Sequence, residues 1–199
     1  MLRADVLALV RVAVALGSDD SLALAPLLSE ARAAAGAAAV DEVLLQSYLF
    51  VGYPRVLNAF RLWRSIEPEA PAARGDEAEW EERGQRVLSQ VYGGQDARVV
   101  ANVQALHPDL ARWMVTEGYG KVLGRPGLDL GVRELCIVAL LATQDAVPQL
   151  YSHLRGSLNA GMAMSDVEEA LALALTRAPD ARRARALDAW DAVKSRRGG

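Results

Sequence analysis

The chain has 199 residues, of which 52% are hydrophobic and 24% are charged, a composition typical of one globular domain or two small ones. Its 22 Lys and Arg residues and 25 Asp and Glu residues give a net charge of −3, which excludes the basic surface of a nucleic-acid-binding protein. The longest stretch without a charged side chain, residues 43–54, is too short for the ~20 residues of a membrane span. We therefore expect neither nucleic acid nor a membrane as a partner.

Cysteine and histidine are scarce: Cys136 is the one cysteine, and His107 and His153 are the two histidines. One cysteine excludes an intrachain disulfide and a CxxC redox pair, and two histidines exclude a multi-histidine metal site within one chain. Near the N-terminus, Asp5 stands where a signal peptide would carry basic residues. These observations predict a cytoplasmic protein without a metal ion.

Apolar residues recur three and four positions apart along nearly the whole chain, which is the spacing of amphipathic helices. The pattern predicts helices over residues 5–16, 22–35, 40–63, 80–91, 96–105, 109–122, 131–142, 149–160, 166–177 and 181–194. Ser165 and Glu168 have the spacing of a capping box at the start of the ninth of these helices. Because no stretch alternates apolar and polar residues long enough for a strand, the sequence predicts an all-α fold.

Residues 67–76 contain two prolines and charges of both signs, which predicts a linker between an N-terminal part (1–66) and a C-terminal part (77–199). When the first part is shifted by 127 residues, 40–63 falls on 167–190, and six of the 24 positions agree, including a Trp pair. With a two-residue gap, Gly36 falls on Gly161. These matches predict a duplicated helical unit whose N-terminal copy is degenerate.

On this alignment the C-terminal copy has Glu134 and His153 where the N-terminal copy has Leu9 and Leu28. Glu134 lies within an apolar helical stripe, where a carboxylate must be paired, hydrogen-bonded or neutral. The two residues are placed at opposite ends of a short helical hairpin, so their spacing does not guarantee contact. Structural roles stay open as well, because an acid near a helix start complements the helix dipole and a lone histidine often packs in a core.

The C-terminal part carries YG at 119–120, RPGLD at 125–129, RE at 133–134, HLRGSLNAG at 153–161 and EE at 168–169. In order and spacing these motifs resemble the carboxymuconolactone decarboxylase family over roughly residues 83–173. The resemblance implies a lyase that needs no metal or organic cofactor and acts on a small carboxylated lactone or a related acid. It implies that His153 donates or carries the proton, and that Glu134 sets its tautomer or acts as the paired acid. The candidates for holding the substrate carboxylate or walling its pocket are Arg133, Arg125, Arg155, Tyr119 and Tyr151.

The resemblance leaves two alternatives. One is an oligomeric binding protein of the family without catalysis. The other is a thiol peroxidase like the related alkylhydroperoxidase D-like proteins, which is disfavoured because Ala146 and Gln149 stand at the two cysteine positions of that signature. Family resemblance and the duplication predict a homotrimer. The helix predicted over 40–63 also has apolar residues on nearly every side between 48 and 60, which favours a subunit interface.

Overall fold

The computed structural model describes residues 1–18, 24–69 and 77–197; residues 70–76 of the predicted linker lie outside this set. The regular elements within these ranges are helices, with no strand among them, so the predicted all-α fold is confirmed. The α-helices are α1 (Ala4–Gly17), α2 (Leu24–Ala35), α3 (Ala37–Val51), α4 (Tyr53–Ile66), α5 (Trp80–Tyr92), α6 (Asp96–Leu106), α7 (Pro108–Trp113), α8 (Leu130–Thr143), α9 (Val147–Asn159), α10 (Met164–Leu175) and α11 (Asp180–Arg197). A 3₁₀ turn (Glu77–Glu79) precedes α5, and a π-helical segment (Met114–Leu123) follows α7. No helix in the described ranges is long and apolar enough to cross a membrane.

Helices α1–α4 and α8–α11 form two units with the same packing order. Helix α1 packs on α2 and α3 as α8 packs on α9 and α10, and α1 and α8 also pack against each other. Each unit repeats one hydrogen bond: Trp63 Nε1 donates to Asp41 Oδ1 at 3.1 Å, and Trp190 Nε1 donates to Glu168 Oε1 at 3.0 Å. Because both bonds join positions that are related by the 127-residue shift, the chain contains a duplicated helical unit.

Helix α8 lies at the centre of the fold, in contact with α1, α3, α9 and α10. Every residue from 131 to 143 is buried. A helix that is apolar on nearly all sides is expected to be enclosed by neighbouring helices. The two charged residues in α8, Arg133 and Glu134, are therefore held in the interior and need partners there.

Two sequence predictions about where helices begin and end are wrong. The helix predicted over 40–63 divides at Gly52, whose φ of +78° suits glycine, and Pro54 follows near the start of α4. The apolar residues between 48 and 60 thus belong to two helices, so the expectation of one helix that is apolar on every side is wrong. The predicted capping box is wrong too, because α10 begins before Ser165 and the Glu168 carboxylate accepts the Trp190 bond instead.

Candidate active site

Glu134 of α8 and His153 of α9 are in contact: Glu134 Oε2 lies 2.8 Å from His153 Nδ1. Glu134 lies nine residues before the end of α8, and His153 lies six residues after the start of α9. At 1.5 Å per residue, the two positions differ by about one helical turn along the hairpin, which a glutamate side chain can span. The sequence-based placement at opposite ends of the hairpin is therefore wrong.

Gly156 makes room for this contact. A Cβ atom at position 156 would lie 2.6 Å from Glu134 Oε2 and 2.8 Å from Val91 Cγ1, both too close for a real side chain. The sequence already indicates room for a close helix or a ligand at this small residue, one turn after His153, but it does not show that the Glu134 carboxylate fills that room. The glycine allows the buried carboxylate to occupy the space between α8 and α9.

A cavity of about 360 Å³ lies against His153. Its apolar and aromatic lining comes from α3, α7, the π-helical segment and neighbouring residues, and includes Leu49, Phe50, Leu110, Trp113, Met114 and Leu123. The Phe50 ring meets the His153 ring edge-on, with centroids 5.9 Å apart. Since Glu134 holds Nδ1, Nε2 is the imidazole nitrogen that remains for a ligand in the cavity. Glu117 is the acid among the described lining residues, and its carboxylate accepts a hydrogen bond from Tyr48 OH at 2.7 Å. The N-terminal unit, through α3, thus supplies part of the wall of the cavity beside His153 of the C-terminal unit.

Two tyrosines add hydroxyl groups to the same cavity. Tyr119 OH donates to Tyr92 OH at 3.2 Å, and both side chains line the cavity. Burial is the main cause that raises the pKa of each phenol, and the negative charge of Glu134 raises both further. Both phenols are therefore protonated at neutral pH. Because the Tyr119 hydroxyl already donates to Tyr92, the Tyr92 hydroxyl is the one of the two that can donate to a ligand.

One oxygen of the Glu134 carboxylate is left over. Glu134 Oε1 is buried and has no hydrogen-bond partner among the described residues. A buried carboxylate oxygen without a protein partner is costly, because it has lost its hydrogen bonds to water. The carboxylate is thus bound by His153 through Oε2, while Oε1 is buried without a partner among the described residues.

Comparison with known proteins agrees with this architecture. Residues 108–193 match the carboxymuconolactone decarboxylase family, and the match includes Glu134, Gly156 and His153. The chain carries a carboxymuconolactone decarboxylase domain. The walls supplied by Phe50 and Tyr92 lie outside the matched residues of that domain.

Two curated proteins are similar to the chain. Peroxisomal protein 2 of Schizosaccharomyces pombe is 35% identical over an alignment that covers 67% of this chain and 66% of that protein. Peroxisomal protein 2 of Saccharomyces cerevisiae is 27% identical, over 67% of this chain and 58% of that protein. The chain thus spans about two thirds or less of these relatives. Both names place the relatives in the peroxisome, so the predicted cytoplasmic location is wrong.

Of the arginines predicted to bind substrate, Arg133 and Arg125 of the carboxymuconolactone decarboxylase domain are held by Glu42 of α3. Arg133 Nη2 lies 2.8 Å from Glu42 Oε2, and Arg125 Nε lies 3.1 Å from the same oxygen. Gln46 completes the cluster, because Arg133 Nη1 donates to its Oε1 at 3.3 Å. These residues join the two units away from the cavity lining, a connection that sequence reasoning did not find.

The other predicted contacts also lie in different places. Tyr119 lines the cavity beside His153, as expected of a pocket wall. Tyr151 is on another face of α9, where its OH accepts a hydrogen bond from Arg196 Nη1 at 2.7 Å. Arg155 lines a separate pocket. The structure therefore brings Glu134, His153 and Tyr119 together, while a direct role in binding substrate stays a prediction for each residue.

Proposed function

We propose that the protein is a lyase that decarboxylates a small carboxylated lactone or a related acid in the cavity beside His153. The observation that supports this most strongly is the 2.8 Å contact of the buried Glu134 with His153, which lines a largely apolar cavity. A carboxylate on one ring nitrogen fixes the tautomer of the imidazole and stabilises its protonated form. That arrangement suits a group that gives a proton to carbon and takes one back.

In the proposed reaction, the bond between the substrate carboxylate and its neighbouring carbon breaks, and carbon dioxide leaves. The electron pair of that bond stays on the substrate, delocalised into the adjoining conjugated or carbonyl group. His153 Nε2–H then gives its proton to the carbon, and the neutral imidazole recovers a proton from solvent. Glu134 balances the positive charge that the ring carries before the transfer.

The walls of the cavity assist each part of this step. Apolar side chains such as Phe50 and Leu49 remove water from the substrate carboxylate, and this favours conversion of the charged group to neutral carbon dioxide. Tyr92, whose raised pKa keeps its phenol protonated, is placed to donate a hydrogen bond to an oxygen that becomes negative as the carbon–carbon bond breaks.

Release of carbon dioxide from a panel of carboxylated lactones and related acids tests the proposal. We expect Glu134→Gln and His153→Gln each to lower kcat by about 10²-fold to 10⁴-fold, the usual contribution of a positioned acid or base. His107→Gln is the matched control, since His107 is exposed and only caps α7 through the Asp109 amide; it should keep the wild-type rate within about twofold.

Two results would contradict the proposal. The first is a wild-type protein that releases no carbon dioxide from any acid of the panel. The second is an equal rate in wild type, Glu134→Gln and His153→Gln. If wild type and Glu134→Gln bind an acid of the panel equally well without turnover, the protein is instead a binding member of the family.

We also propose that the protein assembles as a homotrimer. Large apolar side chains stand exposed on α4 and α7: Tyr53 is 60% exposed, Leu57 51%, Leu110 48% and Trp113 51%. Leu110 and Trp113 also line the His153 cavity, so a neighbouring subunit placed on them would help to close it. Light scattering should give the mass of three 21.4 kDa chains, and a monodisperse single chain at micromolar concentration would contradict this proposal.

The names of the two relatives support a peroxisomal location as part of the same proposal. A fluorescent fusion of the full-length protein should coincide with a peroxisomal marker in its own cells. A diffuse signal throughout the cell would contradict this.

A further inference from the structure

Tyr92 lines two pockets: the His153 cavity and a second pocket of about 240 Å³. Three helices bring an arginine to the second pocket, Arg98 from α6, Arg155 from α9 and Arg196 from α11. Its neutral polar lining consists of Gln95, Asn102 and Ser152. None of the described residues that line it is acidic. We refer to it as the arginine pocket.

The positive charge of the arginine pocket is not balanced locally. Within the described part of the chain, the side chains of Arg98 and Arg155 have neither a hydrogen-bond partner nor an ion-pair partner. Arg196 donates to the neutral Tyr151 OH and packs over that ring. Asp96, an acid two residues before Arg98, is engaged by Ser89 Oγ at 2.7 Å and does not line the pocket.

Elsewhere the described arginines commonly face carboxylates. Arg86 pairs with Glu82, Arg32 with Glu67 and Arg133 with Glu42. Three guanidinium groups around one concave surface without an acid make a region of positive potential, which attracts anions. The planar guanidinium also matches the oxygen geometry of carboxylates and phosphates.

We propose that the arginine pocket binds a phosphate or pyrophosphate group. A single carboxylate would balance one of the three positive charges, whereas a pyrophosphate carries several negative charges and enough oxygens to face three guanidinium groups at once. Neutral donors such as the Asn102 amide and the Ser152 hydroxyl can bind oxygens that the arginines leave free. The chemistry of the lining therefore selects a multiply charged oxyanion.

The shared wall links this pocket to the site at His153. Tyr92 is the lining residue that the two pockets share, so a molecule with its phosphate in the arginine pocket would have to pass Tyr92 to place its other end in the apolar cavity. The substrate class is then an organic acid that carries a phosphate or pyrophosphate group. This assignment to the substrate rests on the proposed function, whereas binding of the oxyanion does not.

Titration calorimetry with inorganic pyrophosphate at low ionic strength tests the pocket directly. We expect one site in wild type, binding at least fivefold weaker in both Arg98→Gln and Arg155→Gln, and weaker binding at higher salt. Arg86→Gln removes the same charge from an exposed position outside the pocket, and it should bind within twofold of wild type. Arg86 and Arg98 are exposed and Arg155 is half-buried, so the three substitutions are expected to leave the fold intact. Circular dichroism checks that each variant is folded.

Absence of binding at millimolar pyrophosphate would overturn the proposal, as would equal weakening by Arg86→Gln, which would mean binding to general surface charge. Glu134→Gln separates this proposal from the lyase reaction: it should lose turnover and keep pyrophosphate binding. Competitive inhibition of carbon dioxide release by pyrophosphate supports the assignment to the substrate. Binding without inhibition overturns that assignment and leaves the oxyanion site in place.

Discussion

The two helical units use the same hairpin in different ways. In the C-terminal unit, α8 and α9 enclose Glu134 and His153; in the alignment that pairs Gly36 with Gly161, the corresponding residues of α1 and α2 are Leu9 and Leu28, which are 2% and 0% exposed. The apolar pair shows that the hairpin packs without an acid and an imidazole. Because a buried charged pair seldom adds to stability, the polar pair is better explained by chemistry than by folding.

A second matched position shows how the units are joined. Glu42 of α3 and Glu169 of α10 are related by the 127-residue shift, and each reaches the other unit. Glu42 binds Arg125 and Arg133, whereas Glu169 Oε2 accepts a hydrogen bond from the Leu2 amide at 2.6 Å. One connection is a buried ion cluster and the other is a bond to backbone. Removal of the acid should therefore cost more of the free energy of unfolding at Glu42 than at Glu169.

The largest effect is expected from Glu42→Gln. It leaves Arg133, whose side chain is 0% exposed, without a carboxylate, and such a buried charge costs about 3–5 kcal/mol of the free energy of unfolding. Glu30→Gln is the control, since Glu30 pairs with Arg11 and its side chain is 49% exposed; it should cost less than about 1 kcal/mol. Urea unfolding measures both free energies, and equal losses would show that Glu42 does not stabilise the contact between the two units.

The second-largest change in the free energy of unfolding is expected when Glu134 and His153 are both replaced by leucine, the residue that the N-terminal unit has at the matched positions. The double variant Glu134→Leu with His153→Leu should be at least as stable as wild type, and the gain can reach about 1–4 kcal/mol. His153→Leu alone should be less stable than the double variant, because it leaves the Glu134 carboxylate buried without its partner. A double variant less stable than this single variant would mean that the units do not share one packing pattern.

Gly156→Ala makes a smaller and more local change towards the N-terminal unit, which has the buried Ala31 at the matched position. The new methyl group meets Glu134 Oε2 and Val91 Cγ1, so we expect a loss of about 1–3 kcal/mol and displacement of the carboxylate from His153. Urea unfolding and the His153 imidazole resonances report the two effects. Gly118→Ala is the control for stability, since its Cβ has no atom within 4 Å; a similar loss there would make the clash irrelevant.

The sequence predicts what depends on local pattern. Helical periodicity is enough for the fold class, and the duplicated Trp and Gly positions are enough for the repeat. The cluster of Glu42 and Arg133 joins residues 91 positions apart, and no local signal indicates it. The contact of Glu134 with His153 depends on how far each lies from the turn between α8 and α9, and a helical wheel does not contain that distance. Gly52 and Gly156 show the same limit, because a backbone angle or a close approach decides their roles.

The smallest effect is expected at Cys136, two residues from Glu134 in α8. The thiol is fully buried, and burial raises its pKa to about 12, so it stays protonated and unreactive at neutral pH. Peroxide consumption should be the same in wild type and Cys136→Ala, and iodoacetamide should label the native protein slowly up to about pH 9. Because the folded pKa lies above the unfolded one, this thiol does not change stability below about pH 9, and it lowers stability as the pH rises towards 12. Cys136→Ala should remove that part of the alkaline loss, whereas peroxide consumption that disappears in this variant would restore the thiol peroxidase alternative.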